Sequence, residues 1–445
     1  MKDMTKGNPL KLIVLFALPM VASSLLQQCY NLADSVIAGR FAGVNALAAI
    51  GVSTPITQLF VNLGVGASMG CSVVISQLFG AGEMKKLKTS IYTAMIAFIA
   101  LSLVLMTVGS VFAGPIAKLL KTPDDLYKDA LSYLRIYMFG IPFLFLYNIS
   151  NSVFNALGDS RKPLYFLIFS TCLNILLDVV FVIHFKRGVV GVAWATFIAQ
   201  GMAGLLAASV LLMKVRKLEK KVAVFDWNLL GGMSKVGIPT MIQNAIVNIG
   251  NLFVAALVNT NGAEFIAGYS AALKINGFFM MVIVTIGNAI ATFSAQNIGA
   301  GQYDRPKKGL IAGMAINYVY VFLAIILVYT CGHGLVGLFL DEPATEAVYA
   351  AGVGYLRVVT VASLAFILLN NCCAVCRAAG YMIAFTSTTL VDLVIRVVTA
   401  YAFNGVMGSA SIYWSVAFGW IVGAVMGVWF FAAGRWKKVR LLKKG

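Results

Sequence analysis

A chain of 445 residues that is 60% hydrophobic and only 11% charged, with a mean hydropathy of +0.89, does not match the composition of a water-soluble domain and reads as a polytopic membrane protein. At about 20 residues per span plus loops, that length admits about twelve spanning helices. The net charge of +18 argues against nucleic acid as a partner once its placement is seen, because the basic residues fall in alternate loops and at both ends.

Residues Met1–Ala22 imitate a signal peptide, but the apolar run continues in helical pattern through Asp34, so it reads as the first span. That span covers Leu12–Ala38 and carries Pro19, a kink point. The second, Ala46–Phe79, is rich in Gly and Ser, as closely packed membrane helices are. Ser90–Ala113, Leu131–Phe154, Leu164–His184 and Val190–Met213 follow as the third to sixth spans. The charged run KVRKLEKK, Lys214–Lys221, then opens a linker assigned to residues 214–228. The seven cysteines lie mainly inside apolar runs with no histidine partner, so metal or redox chemistry is not expected.

The second half repeats the first. SQLFGAG at Ser76–Gly82 returns as AQNIGAG at Ala295–Gly301, YLR at Tyr133–Arg135 returns at Tyr355–Arg357, and Pro19 returns as Pro239. The seventh to twelfth spans are then Met233–Val258, Phe265–Ile298, Leu310–Cys331, Val348–Cys376, Ile383–Phe403 and Ile412–Ala433. Six spans per half is an even number, so both halves insert with the same orientation. The predicted fold is all-α: twelve transmembrane helices in two six-helix lobes, residues 1–213 and 229–434. They form a parallel repeat with a pseudo-two-fold axis along the membrane normal, followed by a basic tail at 435–445. Lys2, Lys6, Lys11, Lys85–Lys88, Arg161–Lys162, the linker, Arg305–Lys308 and the tail all fall on one side, which the positive-inside rule makes cytoplasmic. The opposite side holds little beyond Arg40, Lys118, Lys121, Lys128, Lys186 and Arg187. The expected location is the plasma (inner) membrane, with both termini inside.

Ionisable residues inside spans are costly and face a cavity, a partner charge or an ion. Asp34 lies in the first span and Asp178 in the fifth, with Asn174 one helical turn before Asp178 and Tyr30 one turn before Asp34. Carboxylate, amide and hydroxyl oxygens form a hard-ligand set suited to Na+ and equally to a shared proton. Asp34, Asn174, Asp178 and Thr196 are therefore expected to converge on one buried cation site, and the protein reads as an ion-driven transporter.

These residues carry a resemblance. Pro19 with YNLADSVIAGR, QLFGAG and QNIGAG, ALGDSRKP, NILLD at Asn174–Asp178 and GVAWAT before the sixth span resemble the multidrug and toxic compound extrusion (MATE) family over nearly the whole chain. The resemblance implies two six-helix lobes flanking a V-shaped cleft and export of organic compounds in exchange for Na+ or H+. It also implies a cation site in the amino lobe at Asp34, Asn174, Asp178 and Thr196, with Tyr30 and Asn148 as less secure supports. A small organic substrate, a monomeric state, a lipid environment and no cofactor beyond the coupling ion belong to the same expectation.

The carboxy half departs from the pattern. Its seventh span has no acid, while Lys274, Arg396 and Asp392 lie within apolar runs and are candidates for substrate contact. Arg396 lies one turn from Asp392, so an internal ion pair is the plain reading. The repeat places Arg396 opposite Asn174, Ala400 opposite Asp178 and Val254 opposite Asp34, which predicts a single coupling-ion site. A flippase of a lipid-linked precursor, from the related superfamily, is the alternative, and the acidic amino-lobe site argues for the exporter. An intramembrane aspartyl protease would need a GxGD motif, whereas Asp159 follows ALG in a basic loop.

Overall fold

Each apolar run of the sequence becomes one long helix. The computed structural model describes residues 2–119, 122–218, 221–340, 344–439 and 441. Lys121, Glu219 and Lys220 of the linker, and Arg440 with residues 442–445 of the tail, lie outside the described residues. The helices are α1 (Pro9–Ile37), α2 (Val44–Gly80), α3 (Met84–Leu119), α4 (Asp124–Ala156), α5 (Arg161–Asp178), α6 (Gly188–Arg216), α7 (Trp227–Asn259), α8 (Ala263–Gly299), α9 (Arg305–Gly337), α10 (Glu346–Ala378), α11 (Met382–Met407) and α12 (Ala410–Ala432). Among the described residues, twelve segments are long and apolar enough to cross a membrane. The fold is the all-α, twelve-span architecture in two halves that the repeat predicts.

Most helices outrun the apolar segments read from the sequence; α3 covers Met84–Leu119 where the apolar run is Ser90–Ala113. A 37-residue helix such as α2 or α8 is about 55 Å long at 1.5 Å per residue, against a hydrocarbon core of about 30 Å. The extra turns carry polar and basic residues, which mark hydropathy boundaries but do not stop a helix. Large apolar side chains stand outward along these helices, including Leu18, Val111, Ile311 and Val425 at 66–68% exposure. That suits lipid and would be untenable in water.

The inward faces are lined by small residues that let backbones approach. Gly268 meets the Val348 carbonyl of α10, and a Cβ at Gly204 of α6 would lie 2.7 Å from the Phe143 carbonyl of α4. Gly43 and Gly262, with φ of +93° and +85°, hold the same place before α2 and α8, so the repeat extends to backbone conformations that favour glycine.

The chain forms two compact units, one of residues 1–3 and 18–241, the other of residues 4–17 and 242–445. Their limits fall beside Pro19 of α1 and Pro239 of α7, where a helical amide is missing and the helix can bend. In the first unit, the Asp226 amide donates to Thr93 Oγ1 and the Lys2 amide to the Leu157 carbonyl. In the second, the Met4 amide donates to Gln296 Oε1, and Arg305 donates to the carbonyls of Met4 and Gly7.

Candidate functional site

Helix α5 ends at Asp178 and continues as a π-helical segment, Val179–His184; α1 passes into a π-turn, Ala38–Ala42, one turn after Asp34. The two wide turns pack against each other, and that of α1 also packs on α6. Each acid therefore sits just before a local widening, and such π-turns within α-helices are frequent at functional sites. The hydropathy pattern gives no sign of it, because π and α turns share their composition.

Asn174 and Asp178 are buried on one face of α5, at 1% and 0% exposure. Thr196 of α6 lies opposite, its Oγ1 3.4 Å from Asn174 Nδ2. With the Asn174 amide turned so that its NH2 faces the carboxylate, it donates to Asp178 Oδ2 at 2.9 Å, and its oxygen accepts from the Thr196 amide at 3.3 Å. The opposite orientation sets two oxygens against each other, so this one is preferred. Asp34 of α1 completes the arrangement, its carboxyl within hydrogen-bonding reach of that of Asp178. The Tyr30 hydroxyl reaches the Thr196 hydroxyl. The sequence-predicted set of Asp34, Asn174, Asp178, Thr196 and Tyr30 thus comes together within one unit.

Two carboxylates this close repel strongly in a low-dielectric surrounding unless a proton or a cation stands between them. Asp34 Oδ1 and Asp178 Oδ1 are both buried without a hydrogen-bond partner among the described residues. Open acceptors on two neighbouring acids leave room for a proton or a cation between them. The walls are dry. Ala46, Ala49, Ala130, Val189 and Ala193 cluster with Tyr133, and Val182 packs on Val192.

Two residues of this neighbourhood are absent from the sequence-predicted set. Tyr133 of α4 interacts electrostatically with Asp34, Asp178 and Tyr30, and stacks on Tyr137 at 6.2 Å. In the sequence it stands out only as part of the repeated YLR. Thr171, one turn before Asn174, is 7% exposed and its buried Oγ1 lacks a partner among the described residues.

Asn148 of α4 is not joined to this set by any described contact. It packs at Gly64 of α2, where a Cβ would lie 3.5 Å from its Nδ2. Asn370, its counterpart in the repeat, donates to the carbonyl of Ile283, itself the counterpart of Gly64. Asn370 thus closes a hydrogen bond onto α8, whereas Asn148 Nδ2 is buried with no hydrogen-bond partner among the described residues.

In the other unit, Arg396 donates through Nη2 to both oxygens of Asp392, at 3.1 and 3.3 Å, and its guanidinium lies 5.9 Å from the centre of the Trp420 ring. Both side chains are largely inside, at 16% and 11% exposure. Lys274 stands apart from them: it is exposed, with its ammonium 5.8 Å from the centre of Phe339. Val254 and Ala400, the counterparts of Asp34 and Asp178, are buried in the apolar core of that unit.

Comparison with known proteins agrees with this organisation. The family model MatE matches twice, over residues 19–180 and 239–402. A curated relative from Bacillus subtilis (strain 168), named "Probable multidrug resistance protein YoeA", is 31% identical over 379 residues, covering 82% of this chain and 80% of the relative. A Shewanella oneidensis protein named "FAD transporter" is 24% identical over 344 residues, covering 75% of each chain. Among solved structures, one described as the outward-facing conformation of a multidrug resistance MATE family transporter superposes with a TM-score of 0.91 at 20% identity, covering 98% of both chains. At that identity the likeness shows the fold.

Proposed function

The chain belongs to the multidrug and toxic compound extrusion family of membrane transporters, and from that premise we propose that it is a secondary active exporter of organic compounds. In this reading it exchanges its substrate for Na+ or H+ by rocking-type alternating access. The coupling ion is held in the amino-terminal half by Asp34, Asn174, Asp178 and Thr196, with Tyr30 behind them. The protein works as a monomer with both termini cytoplasmic and needs no cofactor beyond that ion.

The observation that carries the reading is the meeting of the Asp34 and Asp178 carboxyls, each with a buried oxygen that no described residue satisfies. A proton on the pair or Na+ among its oxygens lowers the repulsion. Release and rebinding of that cation would alter what holds α1 against α5 and α6, the differential interaction a conformational cycle requires. The multidrug name of the Bacillus relative supports organic substrates, and the flavin nucleotide in the name of the Shewanella relative extends them to anions.

The test is transport in proteoliposomes carrying a pH-sensitive or a Na+-sensitive dye. Substrate movement driven by an imposed gradient of one ion, with matched counter-movement of that ion, is the expected result. Transport indifferent to both gradients would sink the proposal.

A further inference from the structure

Arg396 stands mid-helix in a spanning segment, where a guanidinium is costly unless it is paired and used. Asp392 takes only its Nη2, and the buried Nε has no partner among the described residues. Around it lie aromatic groups. Trp420 of α12 stands 5.9 Å from the guanidinium, and Arg396 acts electrostatically on the hydroxyls of Tyr269 and Tyr355, whose rings meet edge to face at 5.1 Å. Asn276 of α8 donates to Tyr355 Oη at 3.5 Å while its own buried Oδ1 has no partner among the described residues.

A purely structural ion pair would be expected to satisfy its buried N–H groups, since each one left open costs free energy. Here a donor on Arg396 and an acceptor on Asn276 both stay open within an aromatic surround. Gly419 reinforces the point: a Cβ there would collide with Asp392 Oδ1, so α12 is recessed where the carboxylate sits. Arginine differs from lysine in keeping its charge when buried, in presenting a planar fork to oxyanions, and in stacking on rings. The repeat sharpens the contrast, since Asn174, the counterpart of Arg396, sits among carboxylates in the other half.

We infer that the carboxy-terminal unit binds an anionic group, a carboxylate or phosphate carried on a planar ring system, at Arg396 beside Trp420, Tyr269 and Tyr355. Asp392 is the built-in counter-ion that shares the guanidinium with the ligand. The anion takes the open Nε–H, the ring lies against the aromatic side chains, and Asn276 Oδ1 accepts from an N–H or O–H of the ligand. This assigns a substrate class and rests on the reading of the chain as an exporter of organic compounds.

Fluorescein and rhodamine 123 share a xanthene skeleton and carry opposite charge, so they separate charge recognition from ring binding. Anisotropy titrations of both dyes with the purified full-length protein should show fluorescein bound at least about tenfold more tightly. Arg396→Gln should weaken fluorescein binding about 10- to 100-fold, the scale of one charged hydrogen bond, while Arg396→Lys should keep part of it. Asp392→Asn removes the competing charge and should tighten fluorescein binding, so the inference does not hang on one variant. Rhodamine 123 bound as tightly as fluorescein, a fluorescein preference that survives in Arg396→Gln, or weaker fluorescein binding in a folded Asp392→Asn protein would each overturn it. The titration needs no ion gradient, so it can fail while coupled transport stands, and the reverse.

Discussion

Asn174 and Arg396 hold the same place in the two halves of the chain, and each has an aspartate one helical turn away, on opposite sides along the helix. Asn174 donates forward to Asp178 at 2.9 Å, and Arg396 reaches back to Asp392 at 3.1 Å. In the first half that aspartate meets a second carboxylate from α1. In the second half the matching positions are Val254 and Ala400, buried among apolar side chains. A fixed guanidinium with no second acid disfavours a cation at that place in the second half.

One coupling ion per protein follows from that asymmetry. Equilibrium binding of 22Na+, or proton release measured on substrate binding, should saturate at a single site, and Asp178→Asn should remove it. Arg396→Asn should not create a second site, because it restores one amide and neither carboxylate. A stoichiometry of two would contradict the argument.

The two acids should be equally indispensable to coupling although their settings differ. Asp178 is fully buried, whereas Asp34 is partly exposed on a helix joined to its neighbours through a π-turn. Asp34→Asn and Asp178→Asn should each abolish ion-driven efflux at matched membrane expression. Asn174→Ala should weaken apparent affinity for the coupling ion by about 1.5–3 kcal/mol, the scale of a hydrogen bond to a charged group. Normal efflux from either aspartate variant in a proteoliposome assay would remove the pair from the mechanism.

Much of this was legible in the sequence because membrane helices announce themselves. Twelve apolar runs, a repeat marked by Pro19 and Pro239, and two acids in otherwise apolar spans lead to the helices and to the residues that meet at Asp178. Asn148 is not decided by sequence, because a polar residue in a span looks alike whether it serves an ion site or packs at a glycine such as Gly64. Tyr133 is hidden because reaching the site depends on how α4 is turned about its axis, which hydropathy does not record; Thr171, one turn before Asn174, is open to the same spacing argument as Asp178. The π-segments after Asp34 and Asp178 are out of reach because π and α turns share their composition.

Orientation in the membrane can be read by labelling. Lys217 and Lys128 are both exposed and lie on sides to which the charge pattern assigns opposite faces. The exposed native cysteines, Cys29, Cys172 and Cys331, are first replaced; Cys71, Cys372, Cys373 and Cys376 are buried. In intact cells a cysteine at Lys128 should react with a membrane-impermeant thiol reagent, and one at Lys217 should react only after permeabilisation. The reverse pattern would invert the topology and the direction of transport inferred from it.

Packing around Asp392 offers a last test, one that separates ion-pair geometry from charge. Gly419 of α12 leaves room for Asp392 Oδ1, and a methyl group there would strike the carboxylate and lie 2.9 Å from the Asp392 backbone carbonyl. Because backbone as well as side chain stands in the way, rotation of the carboxylate alone cannot relieve the clash. Gly419→Ala should therefore push α12 from α11, destabilising the detergent-solubilised protein by about 1–3 kcal/mol, the usual cost of overpacking. Leu369 crowds Gly423, one turn along, through flexible side-chain atoms at 3.0 and 3.2 Å, so Gly423→Ala should cost less. Thermal unfolding of the two variants side by side checks the order: a melting point lowered more by Gly423→Ala than by Gly419→Ala would mean that Asp392 is not held against α12 as described.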